Sequence, residues 1–217
     1  MLHTLVDKVF LITTINSERF DYIISHLKEN DIEYQIFVAP NYEIITDKIK
    51  VLHSGNDNRA SISLLSAYQS IIEISKLCDY KSISIIEDDC YFTTNWQKSL
   101  MNFYNNIPFD WDLLNIGYHP LHDTDTIKKL YNEYAYIPEN WHHTTHCMMV
   151  KNTVYDYFLS LYNKWNYTIP IDYMFNELYK NNNFRSYIPS SKFIYQISIR
   201  NDVYYIPGNP IRFKSTV

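Results

Sequence analysis

The chain is poor in glycine, with 3 in 217 residues beside 21 tyrosines. No stretch is rich enough in Gly or Ser to act as a linker, and no segment repeats, so residues 1–217 are expected to form a single domain. Cysteine is scarce as well. Cys78, Cys90 and Cys147 are odd in number, widely spaced and without a CxxC pair. That excludes a disulfide framework or a zinc site and reads as reduced, mostly buried thiols. Basic residues show no excess: 19 Lys and Arg stand against 24 Asp and Glu, a formal net charge of −5. The basic footprint that nucleic acid requires is missing. No apolar run reaches the length of a membrane span, and the first twenty residues lack a basic segment ahead of an apolar core. The expectation is a soluble, cytoplasmic protein.

What is present is 46% hydrophobic and 17% aromatic, enough for one sizeable core. The abundance of Tyr, Ile and Asn is the bias an AT-rich coding sequence produces, and most tyrosines are read as background. "KVFLITT" (8–14) is a short β-branched run. It is followed by "NSERFDYIISHLKEN" (16–30), where Phe20, Ile23, Ile24 and Leu27 fall at helical spacing behind Asn16 or Ser17 as the cap. "EYQIFVA" (33–39) completes a βαβ unit. Residues 58–78 predict a helix, "SISIIE" (82–87) a strand, 95–107 a helix, and 111–117 and 146–151 strands. Two helices are predicted over 152–165 and 171–181. The proline-containing tail predicts irregular chain with short strands. The fold class is α/β.

The stretch "SISIIEDDCYF" (82–92) carries the chemistry. An apolar strand runs straight into Glu87, Asp88 and Asp89 with no turn residue between. In an open α/β sheet, ligands bind beyond the carboxyl ends of the strands, which is where these acids fall. Three adjacent carboxylates either raise their pKa values or take a cation, and hard oxygen ligands suit Mg²⁺ or Mn²⁺. Alternation along an extended backbone puts Glu87 and Asp89 on one side and Asp88 on the other. The plain alternative is an acidic turn capping the next helix.

The ordered set "VFLITTINSERFDYIISHLKENDIEYQIFVAPN", "RASISLLSAYQSI", "SISIIEDD", "WDLLNIG", "TTHCMMVKN", "IPIDYMFNEL" and "YQISIRND" resembles glycosyltransferase family 25 over nearly the whole chain. This is the group of lipopolysaccharide and collagen-type sugar transferases. The resemblance implies a GT-A-like single domain with a mixed, mostly parallel sheet flanked by helices. It implies a nucleoside-diphosphate-sugar donor, expected to be a UDP-sugar, and a glycan or protein acceptor. It also implies a DXD-like motif at Glu87–Asp89 holding Mn²⁺ or Mg²⁺, with Asp202 as a further ligand. By position, Thr13, Thr14, Asn16, Arg19, Ala39, Arg59, Asp88, His146 and Gln196 resemble donor-binding residues. Asp172 resembles the acid facing the acceptor, which in an inverting transferase would take the hydroxyl proton; otherwise it reads as a helix cap. The chain departs from the family at "HHTTHC" (142–147), where small residues are frequent, and at Ala67, where His is. Two other readings use the same residues: a phosphoryl-transfer or nuclease-like enzyme, and a degenerate domain serving as a carbohydrate-binding scaffold.

Overall fold

The computed structural model describes residues 2–41, 59–120, 128–138, 142–165, 169–200, 203–206 and 209–211. A 3-10 turn at Leu2–Thr4 leads into β1 (Lys8–Thr13), α1 (Phe20–Glu29), β2 (Gln35–Val38), α2 (Arg59–Leu77) and β3 (Ser82–Glu87). Then come β4 (Cys90–Phe92), α3 (Trp96–Asn105), β5 (Leu113–Asn115), β6 (His119–Pro120), β7 (Lys128–Asn132), β8 (Ala135–Pro138) and β9 (His142–His143). β10 (Cys147–Lys151) passes directly into α4 (Asn152–Trp165), followed by α5 (Ile171–Lys180). The last strands are β11 (Ser186–Pro189), β12 (Ile194–Gln196), β13 (Ser198–Arg200), β14 (Val203–Ile206) and β15 (Asn209–Ile211).

Eight strands join in the order β2-β1-β3-β10-β5-β11-β8-β7. β1 lies parallel to β2 and β3, and β5 parallel to β11, while β10 runs against both β3 and β5 and β8 runs against β11 and β7. Hence β2, β1, β3, β5, β11 and β7 point one way and β10 and β8 the other. The sheet is mixed and mostly parallel, with helices on both faces, as the α/β reading expects.

The two faces follow from the period-2 alternation of each strand. Val9 and Leu11 of β1, Ile86 of β3 and Met149 of β10 face a core with Ile23 and Leu27 of α1 and Leu100 and Phe103 of α3. Phe10 and Ile12, Ile83 and Ile85, and Met148 and Val150 face the opposite core, built with α2, α4 and α5. β3 is covered on both sides: Ile83, Ile85 and Ile86 are fully buried, and the polar Ser84 between them is buried too, its hydroxyl satisfied by the Met148 carbonyl at 3.0 Å. Fully burying each apolar side chain among these stabilises the fold by roughly 1.5–3 kcal/mol before conformational entropy is set against it.

Three local expectations change. The N-cap of α1 is Arg19, not Asn16 or Ser17, because the Ser17 hydroxyl is recruited elsewhere, as shown below. The strand expected over 111–117 contracts to Leu113–Asn115. Residues 128–138 form a β7–β8 hairpin at the far side of the sheet, which the sequence pattern did not announce. No helix among the described residues is long and apolar enough to cross a membrane.

Candidate functional site

The carboxyl ends of β1, β3 and β5 lie along one edge of the sheet, and the reversed β10 begins at that same edge. The backbone N–H of Glu87 donates to the carbonyl of His146 at 2.9 Å, which ties the end of β3 to the lead-in of β10. The three acids therefore stand beside Thr144, Thr145 and His146. Glu87 closes β3 while Asp88 and Asp89 form the β3–β4 turn rather than a continued extended strand, yet the side chains still part. No helix follows them directly, so the capping alternative has nothing to cap.

Asp88 faces the β1–α1 loop and is almost fully buried, at 6% exposure. Its Oδ2 accepts from the Thr13 hydroxyl (2.9 Å) and the Ser17 hydroxyl (2.6 Å), and its Oδ1 from Arg19 Nε (3.0 Å) and Nη2 (2.7 Å). Four donors fill both oxygens. Asp88, Thr13 and Arg19 thus form a clamp that shapes the loop, with Thr14 beside it and Asn16 exposed. Ala39 is buried at the end of β2, and its N–H donates to the Thr13 carbonyl at 2.8 Å.

Glu87 faces the other way. Its Oε1 accepts from the Thr145 hydroxyl (2.6 Å), and the Tyr68 hydroxyl on α2 shares its proton between Oε1 (3.0 Å) and the Thr145 carbonyl (2.7 Å). Burial pushes its carboxyl up to about 8, and the neighbouring Asp89 and Asp172 charges add to the shift against the pull of the Thr145 bond. Asp89 is raised too, chiefly by burial, while a bond from Gln196 and the Arg19 charge oppose the rise. Its Oδ2 accepts from Gln196 Nε2 at 2.8 Å. Its Oδ1 is buried with no hydrogen-bond partner among the described residues.

Asp172 lies in the first turn of α5, whose N-cap is Pro170, so the cap reading of Asp172 does not hold. Burial lifts its carboxyl to about 6, with the nearby Asp89 charge adding to the rise and the Thr144 backbone and Thr145 hydroxyl opposing it. The Thr145 hydroxyl has one proton and two carboxyls beside it. That proton goes to Glu87 Oε1, at 2.6 Å.

The remaining expected residues fall as follows. His146 is fully buried, its ring packed over Gly117, where a Cβ would meet His146 Cδ2 at 2.6 Å and Nε2 at 2.7 Å. Gln196 sits on β12, which pairs with β4 and so delivers the tail to Asp89. Arg59 is the first residue of α2. Asp202 lies outside the described residues, as does the whole 42–58 segment that precedes α2. Tyr68, Thr145 and Ser17 were not foreseen as site residues. Tyr68 occupies core spacing on α2, where a tyrosine reads as packing; the pairing of Thr145 with Glu87 spans 58 positions and has no local signature. Among the described residues, no group of three or more His, Cys, Asp or Glu side chains is gathered so as to hold a metal by itself.

The chain matches no protein-family model and no curated protein. Among solved structures, protein A197 from STIV aligns over 97% of this chain and 95% of its own at 16% identity and a TM-score of 0.48. A glycosyltransferase involved in glycosylating the major capsid of PBCV-1 aligns over 87% and 92% at 10% identity and a TM-score of 0.48. The inositol-1-phosphate CTP transferase of T. maritima aligns over 88% of each chain at 12% identity and a TM-score of 0.49. With TM-scores below 0.5, these likenesses add nothing to the functional argument, which rests on the side chains.

Proposed function

We propose that this chain is a GT-A-like glycosyltransferase that moves a sugar from a nucleoside-diphosphate donor, a UDP-sugar by preference, to a hydroxyl of a glycan or protein acceptor with the help of Mn²⁺ or Mg²⁺. The observation that carries the reading is the meeting of Glu87, Asp89 and Asp172 at the strand-terminal edge of the sheet, with Asp89 Oδ1 buried and unpaired. A buried carboxylate oxygen without a donor is costly in a protein alone and is satisfied by a hard cation. Glu87 and Asp89 supply two ligands, and Asp202 is the proposed third. When bound, the cation neutralises the diphosphate as it leaves.

The chain's own residues account for the rest. The Asp88 clamp fixes the β1–α1 loop, so that Thr14, Asn16 and the backbone around them present a set surface to the nucleotide. Ala39 at the end of β2 leaves room for a base, and Arg59 at the head of α2 and His146 complete the proposed donor contacts. Asp172, in the first turn of α5 and raised by burial to about 6, accepts the acceptor's hydroxyl proton, so inversion is the expected stereochemistry.

Titration with UDP, GDP and dTDP, each with and without Mn²⁺, tests the reading. Metal-dependent binding of at least one of them is expected, together with its loss in a folded Glu87→Gln/Asp89→Asn variant. Failure of every nucleotide to bind under either condition would sink it.

A further inference from the structure

The three acids differ in how fully their oxygens are already bonded. Both oxygens of Asp88 are filled, by two hydroxyls and a guanidinium. Glu87 and Asp89 are each half filled. Thr145 and Tyr68 both bond Glu87 through Oε1, at 2.6 and 3.0 Å, and Oε2 has no hydrogen-bond partner among the described residues. Gln196 bonds Asp89 through Oδ2 at 2.8 Å, and Oδ1 is the oxygen left over. All three donors are neutral side chains, whereas Asp88 is paired with the Arg19 guanidinium. A carboxylate bonded on one oxygen by neutral donors keeps its charge for a cation at the other.

Tyr68 comes to this edge from a different layer. It is wholly buried on α2, with its ring edge-on to Phe175 of α5 at 5.7 Å between centroids. Its hydroxyl also reaches the Thr145 carbonyl at 2.7 Å, while the Glu87 N–H donates to the His146 carbonyl at 2.9 Å. One buried phenol thus ties the end of β3 to residue 145 from the helix packed over both. Phe would fill nearly the same space, and a buried hydroxyl is costly unless bonded, so packing alone does not account for a tyrosine here.

We propose that Tyr68 is a positioning residue: with Thr145 it holds Glu87 by Oε1 and so assigns Oε2 to the divalent cation. The role rests on the cation-assisted transfer proposed above. Side chains that orient a metal ligand in this way typically contribute about 10–100-fold to metal affinity.

Mn²⁺ binding to the whole protein, alone and with UDP, GDP or dTDP, is read from the electron paramagnetic resonance signal of free Mn²⁺, so no turnover is needed. Tyr68→Phe keeps the ring and should weaken binding by about 10–100-fold, as should Thr145→Val. Thr145→Ser keeps the hydroxyl and should stay within about three-fold of native. Ser84→Ala removes a buried hydroxyl of β3 that bonds the Met148 carbonyl and no acid. It should stay within about two-fold, which separates a general loss of stability, seen in thermal melts, from a loss of ligand placement. Should Tyr68→Phe not fold, the Thr145 pair decides, and native affinity in Thr145→Val then overturns the role. A folded Tyr68→Phe that binds Mn²⁺ within about three-fold of native, or an equal loss in Ser84→Ala, overturns the positioning role and leaves the cation reading in place. Native protein that binds neither Mn²⁺ nor, in competition, Mg²⁺ under any of these conditions overturns the cation reading, and the positioning role with it.

Discussion

Removing the buried Asp88 carboxylate should cost the fold a large share of its stability. Asp88→Ala takes away the common acceptor of four donors: two hydroxyls at 2.9 and 2.6 Å and two guanidinium N–H groups at 3.0 and 2.7 Å. Hydrogen bonds to an ionised group each contribute about 1.5–3 kcal/mol, and stripping one partner from a buried ion pair costs about 3–5 kcal/mol. Those figures overlap rather than add. The Arg19 side chain is 29% exposed, so water recovers part of its loss, whereas the Thr13 hydroxyl, in a residue 2% exposed, has little recourse. The expected loss is about 3 kcal/mol, a fall in melting temperature of roughly 6–12 °C for a chain of this size. Asp88→Asn keeps the shape and one acceptor oxygen and should lose about half as much. Urea unfolding followed by circular dichroism measures both, and a cycle with Arg19→Ala should return a coupling above about 1 kcal/mol. A loss below about 1 kcal/mol for Asp88→Ala would refute the clamp, since ordinary surface changes stay within about 0.5 kcal/mol.

Two further perturbations follow from the same geometry. Glu87 and Asp172 bind protons more tightly in the folded state than in the unfolded chain, so their stabilising contribution is complete below about pH 4 and declines as pH rises, through about 6 for Asp172 and about 8 for Glu87. The metal-free protein should therefore lose stability between pH 5 and 8, by up to about 1.4 kcal/mol per pH unit for each proton released. Millimolar Mn²⁺ should flatten that slope, and chemical denaturation at a series of pH values checks both. Gly117→Ala would set a Cβ 2.6 Å from His146 Cδ2 and 2.8 Å from the Cys147 Cβ, which should destabilise the protein by about 1–3 kcal/mol. His146→Ala in the same chain should recover part of that loss in thermal melts.

Much of the fold can be read along the chain because its strongest elements are covered on both faces or amphipathic over many turns. β3, α2 and α4 come out at nearly the expected bounds for that reason. The direction of β10 cannot be read, since "CMMVK" is equally apolar whichever way it runs, and the β7–β8 hairpin is too short and polar to stand out. At the site, the division of Glu87 and Asp89 from Asp88 is visible in the tripeptide itself. What Asp88 does is not, because its partners lie 69 to 75 positions away. The left-handed turn at Thr144, with a φ of 80°, is hidden for a different reason: the residue there is Thr, which announces extended chain, where a Gly would have signalled the bend.

The pairing of Gln196 with Asp89 closes a loop of 107 positions, while the sheet around Asp89 is completed by residues no later than Pro189. Contacts that close long loops form late in folding. On a chain emerging from the ribosome, the sheet can be assembled before Gln196 reaches Asp89. Only when β12 docks on β4 and the Ile197 N–H reaches the Asp89 carbonyl at 2.7 Å does the carboxyl enter its buried setting. The setting of Asp89 is thus completed by a short strap added to the body of the sheet. A change that loosens 194–197 would free Asp89 from the Gln196 side chain and also uncover Ile194 and Ile197, which are 0% and 3% exposed.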